Sequence, residues 1–266
     1  MNLILLEGEE ISDGGLATLT GARSTHVHGV LRAVPGTTIR IGLINGPLGT
    51  ATVVKTSPGE TTISCEFQVA SPEPPRVDLL LALPRPKVLK RLWAQIAAVG
   101  VGHIVLTNAA RVERNYFDTH VLTPEGYRPL LLEGLQQAKD THLPRVTIRR
   151  TLKPLIEDDL DTLFPSGLRL LADPDRGSTI AQVTATAPAE RVLVAIGPEG
   201  GWVDFERNLL ARHGFLGVSM GPRTLRSDTA CVALLALVHD ALRAHAESAQ
   251  AFRPATSSSR SGDTAG

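Results

Sequence analysis

The sequence predicts an α/β protein in two parts: a small N-terminal β-barrel, then a larger parallel sheet with helices on both faces. Three observations lead there. Apolar and polar residues alternate through much of the first 70 positions. Continuous apolar runs separated by helical patterns take over after residue 76, and the last two of these runs each end in a Gly-Pro turn. At 266 residues the chain is long enough for one large domain or two smaller ones.

The elements follow in order. In "TIRIGLING" the apolar positions are Ile39, Ile41 and Leu43, and in "TTISCEF" they are Ile63, Cys65 and Phe67. Period two, broken by Gly46-Pro47 and Pro58-Gly59, marks short antiparallel strands with one buried face. Upstream, His28, Leu31 and Arg32 stand at helical spacing, and the pattern stops at Pro35-Gly36. One short helix therefore accompanies the barrel, which is expected over residues 1–72. "SPEPPR", Ser71 to Arg76, reads as a stiff linker.

Val77 to Leu83 is a continuous apolar run, the mark of a strand covered on both faces. Pro86 then opens a helix that closes at Gly100, the ends at which these two residues are favoured. Ile104 to Leu106, Leu168 to Ala172, Val192 to Ile196 and Leu216 to Met220 are further strand candidates, mostly separated by helical patterns. Such alternation builds a parallel sheet, here expected over residues 76–248. "TACVALLALVHDAL", Thr229 to Leu242, is apolar round most of its circumference, which suits a buried core helix and a subunit interface equally. Residues 251–266 are polar and without period, and are expected to be disordered.

Lys plus Arg and Asp plus Glu are equal at 27 each, so no whole-molecule field draws in a polyanion. The balance is uneven along the chain. Residues 1–75 carry four basic and seven acidic side chains, and residues 76–153 carry thirteen and six. The middle segment is the natural face for an anionic partner, although a solvated surface with surplus arginines accounts for the same count. Cys65 and Cys231 have no CxxC spacing, so neither a disulfide framework nor a zinc site is expected, and each reads as a small buried apolar residue. "MNLILLEGEE" lacks the basic flank and long apolar run of a signal peptide. No stretch reaches the roughly 18 apolar residues of a membrane span. A cytoplasmic protein without metal or membrane partners is the expectation.

Both Gly-Pro turns, "IGPEGGW" and "MGPRTLRSDTA", fall at strand carboxyl ends, where open parallel sheets bind ligands. Glycine lets the backbone approach a flat ligand closely. One such turn is ordinary helix punctuation; two close together, carrying Glu199, Arg223, Arg226 and Asp228, point to the walls of one site. The sequence has no GxxxxGK[ST], no GxGxxG in the first βα turn, no HExxH and no GxSxG. P-loop, dinucleotide, zincin and α/β-hydrolase chemistry therefore lack their markers. His26 and His28 read as surface or packing residues.

The paired turns resemble the signature of the RsmE family, which methylates N3 of a uridine in 16S ribosomal RNA and belongs to the SPOUT superfamily. The match lies at Gly197 to Gly201, and at Gly221, Arg223, Leu225, Arg226, Thr229 and Ala230; the acidic position, usually Glu, is Asp228. "HGVLRAVPG", His28 to Gly36, is similar to the family's segment in a PUA-like barrel that precedes the catalytic domain. The middle departs from the pattern: Ala94, Gln95, Ala98, Val99 and Gly100 lose both charges of a Gln-Lys-x-x-Glu-Leu-Gly segment. Ala109-Ala110-Arg111 keeps only the arginine of Ser-Glu-Arg, and Gln136, Gln137 and Asp140 stand where Glu-Gln-x-x-Arg is common. These changes bear on RNA contacts and target choice more than on the cofactor.

The resemblance implies a SPOUT α/β-knot with a deep trefoil knot, a rare exception to ordinary chain topology. It also implies a homodimer with 16S ribosomal RNA or the small ribosomal subunit as partner. S-adenosylmethionine would lie between the two turns, against Ile196, Gly197, Pro198, Glu199, Gly200, Gly201, Met220, Gly221, Leu225, Arg226 and Thr229. Glu199 would bind it or order the loop. Attack by uracil N3 requires loss of its proton and support for charge on the neighbouring oxygens. Arg226 first and Arg223 second suit that support, or else brace the loop through Asp228. The base is open between Asp228, Glu199 and a water. Arg32, Arg111 and Arg114 are the expected RNA contacts. Another base or ribose as target, or a non-catalytic RNA-binding platform, are the competing readings.

Overall fold

The computed structural model describes residues 3–68, 70–175, 178–187 and 189–251. It contains two sheets. The first has the order β1-β3-β4-β5-β2. Its strands are β1 (Ile4–Leu6), β2 (Leu16–Thr20), β3 (Thr38–Leu43), β4 (Leu48–Thr56) and β5 (Glu60–Phe67). β1 runs parallel to β3 and the other pairs are antiparallel. Alternate residues, Ile39 and Ile41 among them, turn into a core closed by Leu19, Val27 and Ile63.

The helix of this part ends sooner than its spacing predicts. α1 (Gly21–Thr25) runs into a single π turn (His26–Val30), leaving Leu31 and Arg32 outside. Arg32 adopts a left-handed φ of 50°, and the Ala33 N–H reaches back 3.1 Å to the Val27 carbonyl. That seven-residue closure, with Arg32 in the left-handed region, terminates the helix, so the chain stops before Pro35 can act.

The second sheet is parallel throughout, in the order β11-β9-β10-β6-β7-β8. Along the chain come β6 (Val77–Ala82), α2 (Pro86–Val99), β7 (His103–Thr107), α3 (Pro124–Ala138) and β8 (Arg145–Arg149). Next, α4 (Leu152–Pro154) passes through a π segment into α5 (Leu160–Leu163), followed by β9 (Leu168–Ala172) and α6 (Ile180–Thr186). β10 (Val192–Ile196), α7 (Asp204–Arg212), β11 (Phe215–Val218) and α8 (Ser227–Ala251) complete the described chain. The expected tail lies outside the described residues from 252 on.

α2 shows how sequence sets such an element. Pro86 occupies the first turn, and Gly100 caps the end with a φ of 91°. Leu89, Leu92, Trp93, Ile96 and Ala97 form one buried stripe. Each leucine and isoleucine of that stripe contributes about 1.5–3 kcal/mol when fully buried. α3 approaches closely enough that a methyl placed on Gly134 would sit 2.1 Å from the Ala94 carbonyl oxygen. Every residue of β10 is buried, because β9 and β6 flank it, α8 packs on it and all five side chains lie in the larger core.

β1 belongs to both cores. Ile4 and Leu6 face the first, while Leu3 and Leu5 face the second. The linker reading of Ser71 to Arg76 therefore describes only one of two connections. Thr141 adds a further tie by donating to the Gly46 carbonyl at 2.7 Å. Cys231 is fully buried, which pushes its thiol up to about 12; Cys65 is half-buried. No helix among the described residues is long and apolar enough to cross a membrane.

Candidate functional site

Strand order brings three carboxyl ends together. β9 ends in Asp173-Pro174-Asp175, β10 in Gly197 to Trp202, and β11 in Ser219 to Leu225; all three segments line one cavity of about 300 Å3. Ala172, Ile196, Val218, Ala230 and Leu234 supply apolar wall, and Arg111, Asp173, Asp175, Glu199, Arg207 and Arg223 supply charge.

The β10 turn closes on itself through the Gly201 N–H and the Pro198 carbonyl, 2.8 Å apart, with Gly201 at a φ of 73°. Gly221 in the other turn has a φ of 106°, also in the left-handed region that glycine favours. Its N–H donates to Ser219 Oγ at 3.1 Å. Trp202 is buried behind the first turn, and a methyl on Gly197 would meet its Nε1 at 3.0 Å.

The loop after β7 forms part of the same wall. Arg111 Nη1 donates to the Gly200 carbonyl. Behind that contact lies Glu206, a buried carboxylate on α7. Its Oε1 accepts the Ala110 N–H at 2.7 Å and its Oε2 accepts the Val203 N–H at 3.0 Å. One side chain thus clamps two loops. Arg207 donates to the Trp202 carbonyl at 2.8 Å and pairs with Asp204. That pairing, reinforced by Asp173 and Asp175, pushes the Arg207 pKa upward. Asp173 is itself buried, and its Oδ1 accepts the Asp175 N–H at 3.1 Å.

A second cleft of about 440 Å3 adjoins the first. Arg85, Val88, Arg226 and Asp228 belong to it alone, whereas Glu199, Thr224, Leu225 and Ser227 line both. Asp228 Oδ2 accepts from Arg91 Nη2 at 3.3 Å, and Arg226 Nε stands 3.7 Å from Asp228 Oδ1.

Of the residues singled out from the sequence, Ile196 to Gly201, Met220, Gly221, Arg223 and Leu225 line the cavity. Arg226 and Thr229 lie outside it. The helix explains this: α8 begins at Ser227, so Ser227, Ala230 and Leu234 share the inward face and Thr229 turns to solvent. Arg111, expected to meet RNA, is a cavity wall. Arg114 opens a 3-10 turn (Arg114–Phe117) and, like Arg32, is exposed. Sequence reasoning missed Asp173, Asp175, Trp202, Glu206 and Arg207. The run Leu168 to Ala172 ends in Asp-Pro-Asp, a strand-then-proline signal like the other two. Glu206 stands three residues after Val203, at the N3 position where a carboxylate caps a helix start.

Comparison with known proteins bears on the site as a whole. The family model described as an RNA methyltransferase domain matches residues 71–239. The ribosomal RNA small subunit methyltransferase E of Treponema pallidum is 31% identical over 264 residues, covering 97% of each chain. The ribosomal RNA small subunit methyltransferase E 1 of Borreliella burgdorferi is 24% identical over 234 residues, 88% of this chain and 95% of that one. Among solved structures, the ribosomal RNA small subunit methyltransferase E of Neisseria gonorrhoeae, bound to S-adenosyl methionine, superposes with a TM-score of 0.73. It is 20% identical and covers 90% of this chain and 97% of that one, a likeness of fold.

Proposed function

The chain belongs to the RsmE family of RNA methyltransferases, and from that premise we propose that it methylates N3 of a uridine in 16S ribosomal RNA. S-adenosylmethionine is the donor, and the RNA or the small ribosomal subunit is the partner. The observation that carries this reading is the cavity where three strand ends converge, walled by both signature turns. Its volume of about 300 Å3 suits a small cofactor. Its lining suits this one: Arg111 and Arg223 offer cations to an amino-acid carboxylate, Asp173 and Asp175 offer acceptors to an ammonium or ribose hydroxyls, and the apolar wall takes a flat ring.

When bound, S-adenosylmethionine supplies a methyl group on a positively charged sulfur, whose departure as a neutral thioether drives transfer. The chain's own contribution is position and charge. The glycine turns and their Arg111 and Glu206 supports hold the donor side rigid, and alignment alone supplies much of such a rate enhancement. Arg226, beside the cavity and steadied by Asp228, supports negative charge on the uracil oxygens. Arg223 lines the cavity and orients the donor. Arg32 and Arg114 contact the surrounding RNA, with Arg111 committed to the loop. The same reading carries a PUA-like barrel over residues 1–72, a trefoil-knotted domain over 76–248 and a homodimer.

Calorimetric titration with S-adenosylmethionine and S-adenosylhomocysteine tests the donor site, and mapping of methylated bases in 16S RNA from cells with and without the gene tests the target. Saturable binding together with one uridine that loses its N3 methyl supports the proposal. A folded protein that binds neither molecule refutes it, and an RNA-binding platform then accounts better for the fold.

A further inference from the structure

Beside the donor cavity, the second cleft has the size and lining of a nucleotide site, and nothing so far gives it an occupant. We propose that this cleft receives the flipped acceptor nucleotide and that Glu199, the carboxylate common to both clefts, takes the proton from its N3. The inference rests on the uridine N3 reading above.

The geometry separates the two candidate carboxylates. Asp228 faces the second cleft alone, and its oxygens already serve Arg91 at 3.3 Å and the Thr229 N–H at 2.9 Å, with Arg226 at 3.7 Å. It is a charged brace. Glu199 lines both clefts, and its described contact is a long one, 3.5 Å, from the Arg85 N–H. A base that acts between donor and acceptor must stand where the two spaces meet. Glu199 does.

The rest of the cleft matches a pyrimidine nucleotide. Val88 and Leu225 offer apolar surface to a ring, and the Arg85 and Arg226 side chains offer forked donors to carbonyl or phosphate oxygens. Lys87, Lys90 and Arg91 lie exposed along the start of α2, a cationic approach for a polynucleotide backbone. A base enters such a cleft only when extruded from its stack. Its N3–H proton then passes to a Glu199 oxygen, the freed nitrogen lone pair forms the new bond to the methyl carbon as the methyl–sulfur bond breaks with its electron pair left on the neutral thioether, and the proton leaves to water with the product.

Three variants test this: Val88→Trp fills the cleft, Arg85→Ala removes a donor from an exposed position, and Glu199→Gln removes the base while keeping shape. Each is measured for S-adenosylhomocysteine affinity, for binding to small ribosomal subunits from cells lacking the gene, and for methyl transfer. Cofactor affinity stays within about threefold of the parent in Val88→Trp and Arg85→Ala, because both residues line the acceptor cleft alone. Transfer by Val88→Trp and Arg85→Ala falls by about 100-fold or more as the base loses its seat. Glu199→Gln binds subunits normally and loses about 100-fold or more in rate, the scale of a lost general base. Near-parent transfer by Val88→Trp and Arg85→Ala overturns the assignment of the cleft. Loss of cofactor binding in Glu199→Gln overturns its role as base and makes it a donor contact. Failure of the parent protein to bind S-adenosylhomocysteine is a different result, and sinks the proposed function itself.

Discussion

Arg111 and Gly200 meet across two loops: the guanidinium donates to the glycine carbonyl, and a methyl placed on Gly200 would lie 2.8 Å from Arg111 Cδ. The missing side chain at position 200 is space that the arginine occupies. Two loops distant in sequence share one wall, and the wall exists because one residue is small and the other long.

Gly200→Ala displaces the arginine and weakens S-adenosylhomocysteine binding by about 1–2 kcal/mol, within the usual range for overpacking. Gly200→Val abolishes it. In the Gly200→Ala, Arg111→Ala double variant the loss is smaller than the sum of the two single losses, a coupling that calorimetric double-mutant cycles read directly. Strict additivity would show that the contact does not shape the cavity.

Glu206→Ala leaves the Ala110 and Val203 N–H groups without their acceptor. Each such loss costs about 1–3 kcal/mol. The melting temperature falls, and cofactor affinity falls with it by about tenfold or more because both loops loosen. Thermal melts paired with calorimetry check the pair of effects; a destabilised protein with unchanged affinity would assign Glu206 to stability alone.

Arg226 and Arg223 stand in different clefts, so their alanine variants separate. Arg226→Ala keeps cofactor affinity and loses about 100-fold or more in methyl transfer, the scale of a lost charge-stabilising donor. Arg223→Ala weakens cofactor binding. Affinity and single-turnover rate, measured on both variants, decide between these roles and a shared bracing role.

At the helix pair, Gly134→Ala drives a methyl toward the Ala94 carbonyl, which is backbone and cannot step aside. The expected loss is about 1–3 kcal/mol, or a fall of roughly 2–12 °C in melting temperature for a chain of this size. Differential scanning calorimetry measures it. An unchanged melting point would mean that α2 and α3 move apart without cost.

At the opposite end of β7 from the cavity, burial, with help from Arg145 and Arg191, pulls His103 down to about 4. Arg145 donates to its Nδ1 at 2.9 Å, and an arginine cannot accept, so the proton of the neutral ring sits on Nε2 and faces Thr147 Oγ1. The unfolded chain takes up this proton near the ordinary value of 6.5, and the folded one only near 4. Stability is therefore full above pH 6.5 and drains away as pH falls toward 4. Denaturant midpoints of His103→Gln across that window show a shallower acid decline than those of the parent.

Much of this architecture was legible. The runs at Leu168 to Ala172 and Val192 to Ile196 coincide with β9 and β10, and Pro86 and Gly100 bound α2 as composition suggests. The less visible strands failed for physical reasons. β8, "RVTIR", is an edge strand with no continuous apolar run, and β1 is three residues long. The acidic wall at Asp173 and Asp175 depends on β9 lying between β10 and β11, a neighbour relation that periodicity does not encode. Arg111 reads as a basic surface residue until Glu206, 95 positions later, ties its loop to the glycine turn. Helical phase decided the position of Thr229, set by the starting residue of α8, and Arg226 stands just before that start.

The double allegiance of β1 imposes an order on biosynthesis. Ile4 and Leu6 find their neighbours once Phe67 has left the ribosome and β5 can close the first sheet. Leu3 and Leu5 cannot, because α3 and Thr141, which lie against the outer side of β1 and β3, are not yet made. During that interval the nascent chain exposes the greasy side of β1, the kind of surface that chaperones attend to. Leu3 and Leu5, made before either sheet, are among the last to be fully covered.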